Sequence, residues 1–185
     1  MRNRRSLLIL AAVFAALAVI TVLQNRSLSP EAAAPTAAPT GTFQRVFPDL
    51  AVLDIQAIRL ENPVDGATFT ISRAQDGTWT APGSQGTLDT EVATAIARTV
   101  VLLPYEISIP LTEDLDMGTY GFQPHARLYI QVLLSNGGTH VVAVGALTPS
   151  QTNYYALVDE RDTIYLLEAH AVAFLITTLA SPPLT

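Results

Sequence analysis

At 185 residues with no cysteine, the chain has room for one domain of about 140 residues beyond an N-terminal segment. The missing cysteine excludes disulfides, a lipid-modified cysteine, thiolate metal sites and haem attached through C-x-x-C-H. Beyond residue 26, six arginines and no lysine face all sixteen acids, a surplus of ten negative charges that repels phosphate backbones and argues against nucleic acid as a partner. Such a surface reads first as a solvated acidic exterior, with docking of a basic partner as the alternative.

Residues 7–23 (LLILAAVFAALAVITVL) are apolar or small, with Thr21 the one hydroxyl. As a helix this stretch spans about 26 Å, and with Ser6 and Gln24 at its edges it fits a hydrocarbon core of about 30 Å. Arg2, Arg4 and Arg5 precede it and Arg26 follows, which places the N-terminus in the cytoplasm and the rest of the chain outside. A cleaved signal peptide is the rival reading, with Ala16-Leu17-Ala18 as the cleavage site. The apolar run continues through Val19, Ile20, Val22 and Leu23, however, so the cut would fall inside the membrane. The expectation is an uncleaved, single-pass anchor in the cell membrane over residues 1–26, with an extracytoplasmic (periplasmic) C-terminal part. Ala11, Ala15 and Ala18 share one face of that helix, where small residues let a neighbouring membrane subunit approach closely.

Residues 27–42 belong to a stretch of Pro, Ala, Ser and Thr with almost nothing to bury, and read as a linker. The exterior domain follows over residues 43–181, with 182–185 as a tail. Residues 54–61 (DIQAIRLE) alternate as a strand, 67–73 (ATFTISR) as a second and 78–81 around Trp79 as a third, with Asp65-Gly66 and Asp76-Gly77 as turns. Asp89 is a cap for a helix over residues 90–103, whose Val92, Ile96, Val100 and Leu103 form one apolar face before Pro104. Residues 105–109 read as a short strand ended by Pro110.

Residues 111–124 are irregular. Asp114-x-Asp116-x-Gly118 invites a calcium loop, but Gly118, Thr119 and His125 stand where an oxygen ligand, glycine and glutamate belong, so a short acidic turn is expected. Residues 126–134 and 139–144 form a hairpin, and residues 154–158 and 163–167 another, joined by Asp159-Glu160-Arg161-Asp162. Residues 169–179 close the domain as a helix with Val172, Leu175, Ile176 and Leu179 apolar. The expected fold is therefore α+β: a single N-terminal transmembrane helix, a linker, then antiparallel β-meanders each followed by a packing helix.

Motifs for acyl transfer, nucleotide phosphates, zinc peptidases and dinucleotides are absent from the sequence. His125, His140 and His170 are 15 and 30 residues apart, which fits no local metal site. Neither an enzyme activity, a metal nor a cofactor is expected. Gly145, after a strand, reads as a turn device. Trp79, Tyr154 and Tyr155 are the candidate partner contacts, with core packing as the competing role.

The segments Phe47-Pro48-Asp49-Leu50, Asp76-Gly77-Thr78-Trp79, Tyr120-Gly121-Phe122 with Pro124, Gly145, Asn153-Tyr154-Tyr155-Ala156 and Ile164-Tyr165-Leu166 occur in that order. With the strand at 55–62 and Pro63, this order resembles domain-of-unknown-function family 4340 over residues 47–179. Phe122, in place of a Leu after Tyr-Gly, and the loop after Gly145 depart from the family pattern. The resemblance implies a bacterial, N-terminally anchored, exported domain working beside membrane complexes, some relatives being associated with transporter and gliding-machinery gene sets. It carries over no catalytic residue.

Three functional expectations follow. The first is a non-catalytic, single-span accessory subunit of a larger bacterial membrane complex, an electron-transport (respiratory or photosynthetic) complex being the leading example, with integral membrane subunits and the bilayer as partners. The second is an anchored ligand- or partner-binding module working with a transporter, which requires a concave, partly apolar pocket near Trp79 or Tyr154; a small-molecule ligand is the less expected partner. The third, a hydrolase, needs a Ser or Thr beside one of the histidines.

Overall fold

Residues 43–185 are described in the computed structural model, where the chain runs through nine strands and two helices. Strand β1 (Gln44–Arg45) and a 3-10 turn (Val52–Asp54) lead into β2 (Ile55–Glu61), β3 (Thr68–Arg73) and β4 (Trp79–Thr80). Helix α1 (Thr90–Leu102) comes next, then β5 (Pro104–Pro110), β6 (Leu128–Leu134), β7 (Thr139–Leu147), β8 (Asn153–Val158), β9 (Thr163–Glu168) and helix α2 (Ala169–Ala180). All nine strands join one antiparallel sheet in the order β1-β5-β9-β8-β7-β6-β2-β3-β4.

This sheet corrects the expected architecture of α+β meanders each with its own helix. Strand β2 pairs with β6 from Ile55↔Leu134 to Glu61↔Tyr129, which fuses the first meander to the second. Strand β5 does not return to β4 but crosses to pair with β9, from Tyr105↔Leu167 to Pro110↔Thr163. The physical reason is the edge: separate meanders would each leave unpaired backbone N–H and C=O groups, which the β2–β6 ladder satisfies. The other part of that expectation, a transmembrane helix over residues 7–23, lies outside the described residues, as do Ala11, Ala15 and Ala18 and the linker. Among the described residues, no helix is long and apolar enough to cross a membrane.

Both helices share one core on one face of the sheet. Asp89 caps α1 by accepting from the Glu91 and Val92 N–H groups, and the helix buries Ala93, Ile96, Ala97, Val100 and Val101 before Pro104 ends it. In α2, Val172, Leu175, Thr178 and Leu179 are buried. Facing them, alternate strand residues such as Ile58, Ile130, Val142 and Ala156 are at most 1% exposed, and each large aliphatic side chain there contributes about 1.5–3 kcal/mol. The tail expected over residues 182–185 bonds back to the domain, with the Thr185 N–H donating to Thr87 O and the Thr87 N–H to Thr185 O.

The opposite face carries the other alternation, and residues 111–125 lie over part of it. Ile164 is fully buried yet outside the helix-side core, and its register partner Leu157 shares its face. Tyr120 meets Tyr155 edge to face at 4.9 Å, and the Ala146 N–H donates to Tyr120 O at 2.8 Å. Gly145 makes this approach possible: it sits inside β7 rather than at a turn, and a Cβ there would run into Tyr120 O and, at 3.0 Å, the Phe122 ring. Gly145→Ala is expected to lower stability by about 1–3 kcal/mol through overpacking. Urea unfolding followed by circular dichroism measures it, and a midpoint unchanged from wild type would contradict this account of the loop.

Candidate functional site

The hairpin connection Asp159-Glu160-Arg161-Asp162 and the start of β7 build a bonded polar cluster that joins three segments of the chain. Asp159 adopts the left-handed region at φ 52°, a conformation that aspartate tolerates better than most residues. There its N–H donates to Val141 O at 2.7 Å, and its Oδ1 accepts from the Val141 N–H at 2.8 Å. Its Oδ2 lies 3.0 Å from His140 Nδ1 and 3.8 Å from an Arg161 nitrogen. A carboxylate only accepts, so in this contact Nδ1 is the donor.

Arg161 is held from three sides. Its Nη1 donates to Val46 O at 3.2 Å and to the Tyr165 hydroxyl at 3.3 Å, and its guanidinium lies 5.8 Å from the centre of the Phe47 ring. The same Phe47 ring stacks on His140 at 4.6 Å. Phe47, His140 and Arg161 line a cleft of about 400 Å³ together with Leu50, Leu134 and Asn136. Its lining mixes apolar side chains with polar and charged ones, Asp49 and Asp54 among them, a combination that suits binding.

Nucleophilic chemistry needs a hydroxyl within hydrogen-bond reach of its base. Ser135 Oγ, on the cleft wall, instead donates to Asp54 O at 3.2 Å. His125 is exposed, and His170, 97% exposed at its side chain, pairs with Glu168. Among the described residues, no Ser or Thr side chain is hydrogen-bonded to a histidine, and no three His, Asp or Glu side chains are grouped to hold a metal ion. In the acidic loop, Asp116 accepts from the Thr119 hydroxyl and the Gly118 N–H, which hold its carboxyl below the ordinary range and make the segment a self-bonded turn.

The expected contact residues are not brought together. Trp79 and Tyr154 are only 8% and 7% exposed and belong to the helix-side core, under Arg73 and Arg127 respectively. Tyr155 lies on the other face against Tyr120. The cleft is beside neither Trp79 nor Tyr154. The Asp159–Asp162 turn and the His140 strand are readable in the residues, but their union with Phe47 is not, because the three segments meet only through sheet topology.

No protein-family model matches the chain, and no curated protein or solved structure matches it either. Function is therefore read from this chain's own residues.

Glu168 marks the second polar junction, where β9 turns into α2. It caps the helix by accepting from the His170 and Ala171 N–H groups at 2.9 and 2.8 Å. Partial burial pushes its carboxyl up, but those two N–H groups and the His170 side chain outweigh burial and hold it below the ordinary glutamate value. A carboxyl depressed in the folded state stabilises fully above the unfolded value of about 4.3 and loses that contribution as pH falls through the folded value. Glu168→Gln is accordingly expected to cost about 1 kcal/mol at pH 7, a difference that shrinks as pH falls toward 3. Unfolding midpoints of both proteins across that range check it; a constant difference at every pH would refute the assignment.

Proposed function

We propose that the chain is a non-catalytic accessory subunit, held at the cell membrane by residues 7–23, whose exterior domain stabilises a larger membrane assembly. An electron-transport complex is the first example to examine. The observation that carries this reading is the use made of the domain's polar groups. Asp159 bonds to His140, Arg161 and the Val141 N–H, Arg161 bonds to Val46 O, and Glu168 is committed to capping α2. These groups serve the architecture and leave the domain's outer surfaces for contact. The apolar N-terminal stretch and its arginine asymmetry support an extracytoplasmic placement.

A binding module working with a transporter is the second reading, favoured by the cleft at Phe47, His140 and Arg161. Filling that cleft with Asn136→Trp separates the two: assembly and function persist under the first reading, and function fails under the second.

Native electrophoresis of the tagged full-length chain, extracted from its own membrane in mild detergent, tests the proposal. The expected result is migration with a larger assembly, and a chain that always runs alone as a monomer overturns it. Ala11→Leu with Ala15→Leu, on one face by their spacing of four, is expected to loosen assembly several-fold while leaving membrane insertion intact. Assembled and inserted fractions, measured separately, check that; unchanged assembly would reduce the segment to a tether.

A further inference from the structure

The two helices cover one face of the sheet, and charge is distributed unevenly over the other. Residues 43–185 hold fifteen acids and six arginines. Yet across β3, β2, β6, β7 and β8, the strand positions alternating with the helix-side core carry only Arg59 and Glu61 as charged side chains, and these are bonded to each other at 2.9 Å. The remaining positions are small, hydroxyl, amide, aromatic or aliphatic, and the apolar ones concentrate toward β7. Leu133 and Val141 are 38% and 36% exposed there, and Leu157 neighbours them through Ala143. A solvated face of an antiparallel sheet ordinarily alternates to polar and charged residues. In a protein this acidic, an outward face almost free of charge is a face fitted for contact.

Six of the fifteen acids gather at one end of the strands. Asp159, Glu160 and Asp162 connect β8 to β9; Glu113 and Asp114 follow β5, joined to that turn by the Leu111 N–H donating to Asp162 O at 3.0 Å. Asp54 lies at the same end, where its carbonyl accepts from the Ser135 N–H at 2.8 Å. The nearest cation, Arg161, is already held by Val46, Tyr165 and Asp159. The result is an uncharged apolar centre with an acidic border along one side.

We propose that this face, centred on Val141 and Leu133, is the docking surface for a partner subunit that presents an apolar, uncharged centre bordered by Arg or Lys. It rests on the accessory-subunit reading above and names the surface and the chemistry of the partner. A second copy of the chain fits less well. The six arginines of its residues 43–185 are scattered over β1, β2, β3, α1, β9's approach and the segment before β6, so its described residues offer no basic border to match. Rim charge of this kind sets partner choice and association rate, and the desolvated centre sets lifetime.

The test uses the full-length chain in its own membrane, extracted in mild detergent and resolved by native electrophoresis. Val141→Arg and Leu133→Glu are expected to reduce the assembled fraction at least tenfold, and the sheet-compatible Val141→Thr to reduce it several-fold. Val64→Glu, at a position 72% exposed in the β2–β3 loop, serves as the control and should leave assembly as it is. Raising salt to about 0.5 M should weaken assembly if opposite charges border the contact. Circular dichroism establishes that each variant is folded. Wild-type assembly unaffected by the three face variants would overturn this proposal while leaving the accessory reading standing; a wild-type chain found only as a monomer would overturn that reading itself. A purified chain that dimerises alone, and loses the dimer on Val141→Arg, would overturn the choice of partner in favour of a second copy.

Discussion

Strand β2 lies between β3 and β6, and its ladder to β6 joins residues 55–61 to residues 128–134. Every larger feature depends on that join. It places Ile58 and Leu60 beside Val132 and Ile130, making one continuous apolar sheet face where separate meanders would have made two narrow ones. Both helices can then bury their stripes in a common core instead of each requiring its own. The ladder also satisfies a backbone edge that neither meander could protect alone, since β2 has no proline within it and only Arg59 and Glu61 as charges.

The join also explains where the polar groups are gathered. Because β6 and β7 follow β2 in the sheet, the Ser135–Gly138 turn comes to lie beside Asp54, and His140 beside the β8–β9 turn. Phe47 passes beneath that end of the sheet and supplies a ring for both His140 and Arg161. A charged cluster at the rim of a core must be paired to be tolerated, and here each member is paired to a strand end or to the chain leading in from β1. The cleft is thus a consequence of strand ends meeting, with Ser135, His140 Nδ1 and Arg161 engaged in holding the segments together.

Much of the local structure was legible in the residues because its causes are local. Asp89 capping α1, Pro104 ending it, Asp76-Gly77 turning β3 into β4, and the alternation in β6 all follow from contacts within a few positions. The sheet order was not legible, because β2–β6 and β5–β9 pairings join residues far apart in sequence and alternation says only that a strand has two faces, not which strand lies beside it. The same limit applies to the site. Tyr154 and Tyr155 could be placed on opposite faces by spacing alone, but only the arrangement of the helices decides that Tyr154 is the buried one. Gly145 misled for a related reason: glycine permits both a turn and a close approach, and here the approach of Tyr120 is what requires it.

One-sided covering of a sheet this wide leaves a physical question that the helices do not answer. Tyr120, within residues 111–125, closes over Tyr155 in β8, and in the neighbouring β9 Ile164 is buried entirely. Toward β7 and β6 nothing in the described residues closes over Val141 and Leu133, although the face there stays free of charge except for one internally neutralised pair. Solubility alone would favour the opposite choice, because replacing a half-exposed valine with a lysine or glutamate on a sheet face costs little stability and would protect against association. An acidic chain that concentrates its carboxylates at the strand ends, and keeps this part of its sheet apolar, has the charge pattern of a contact surface: a desolvated middle and a charged border that steers the partner into register.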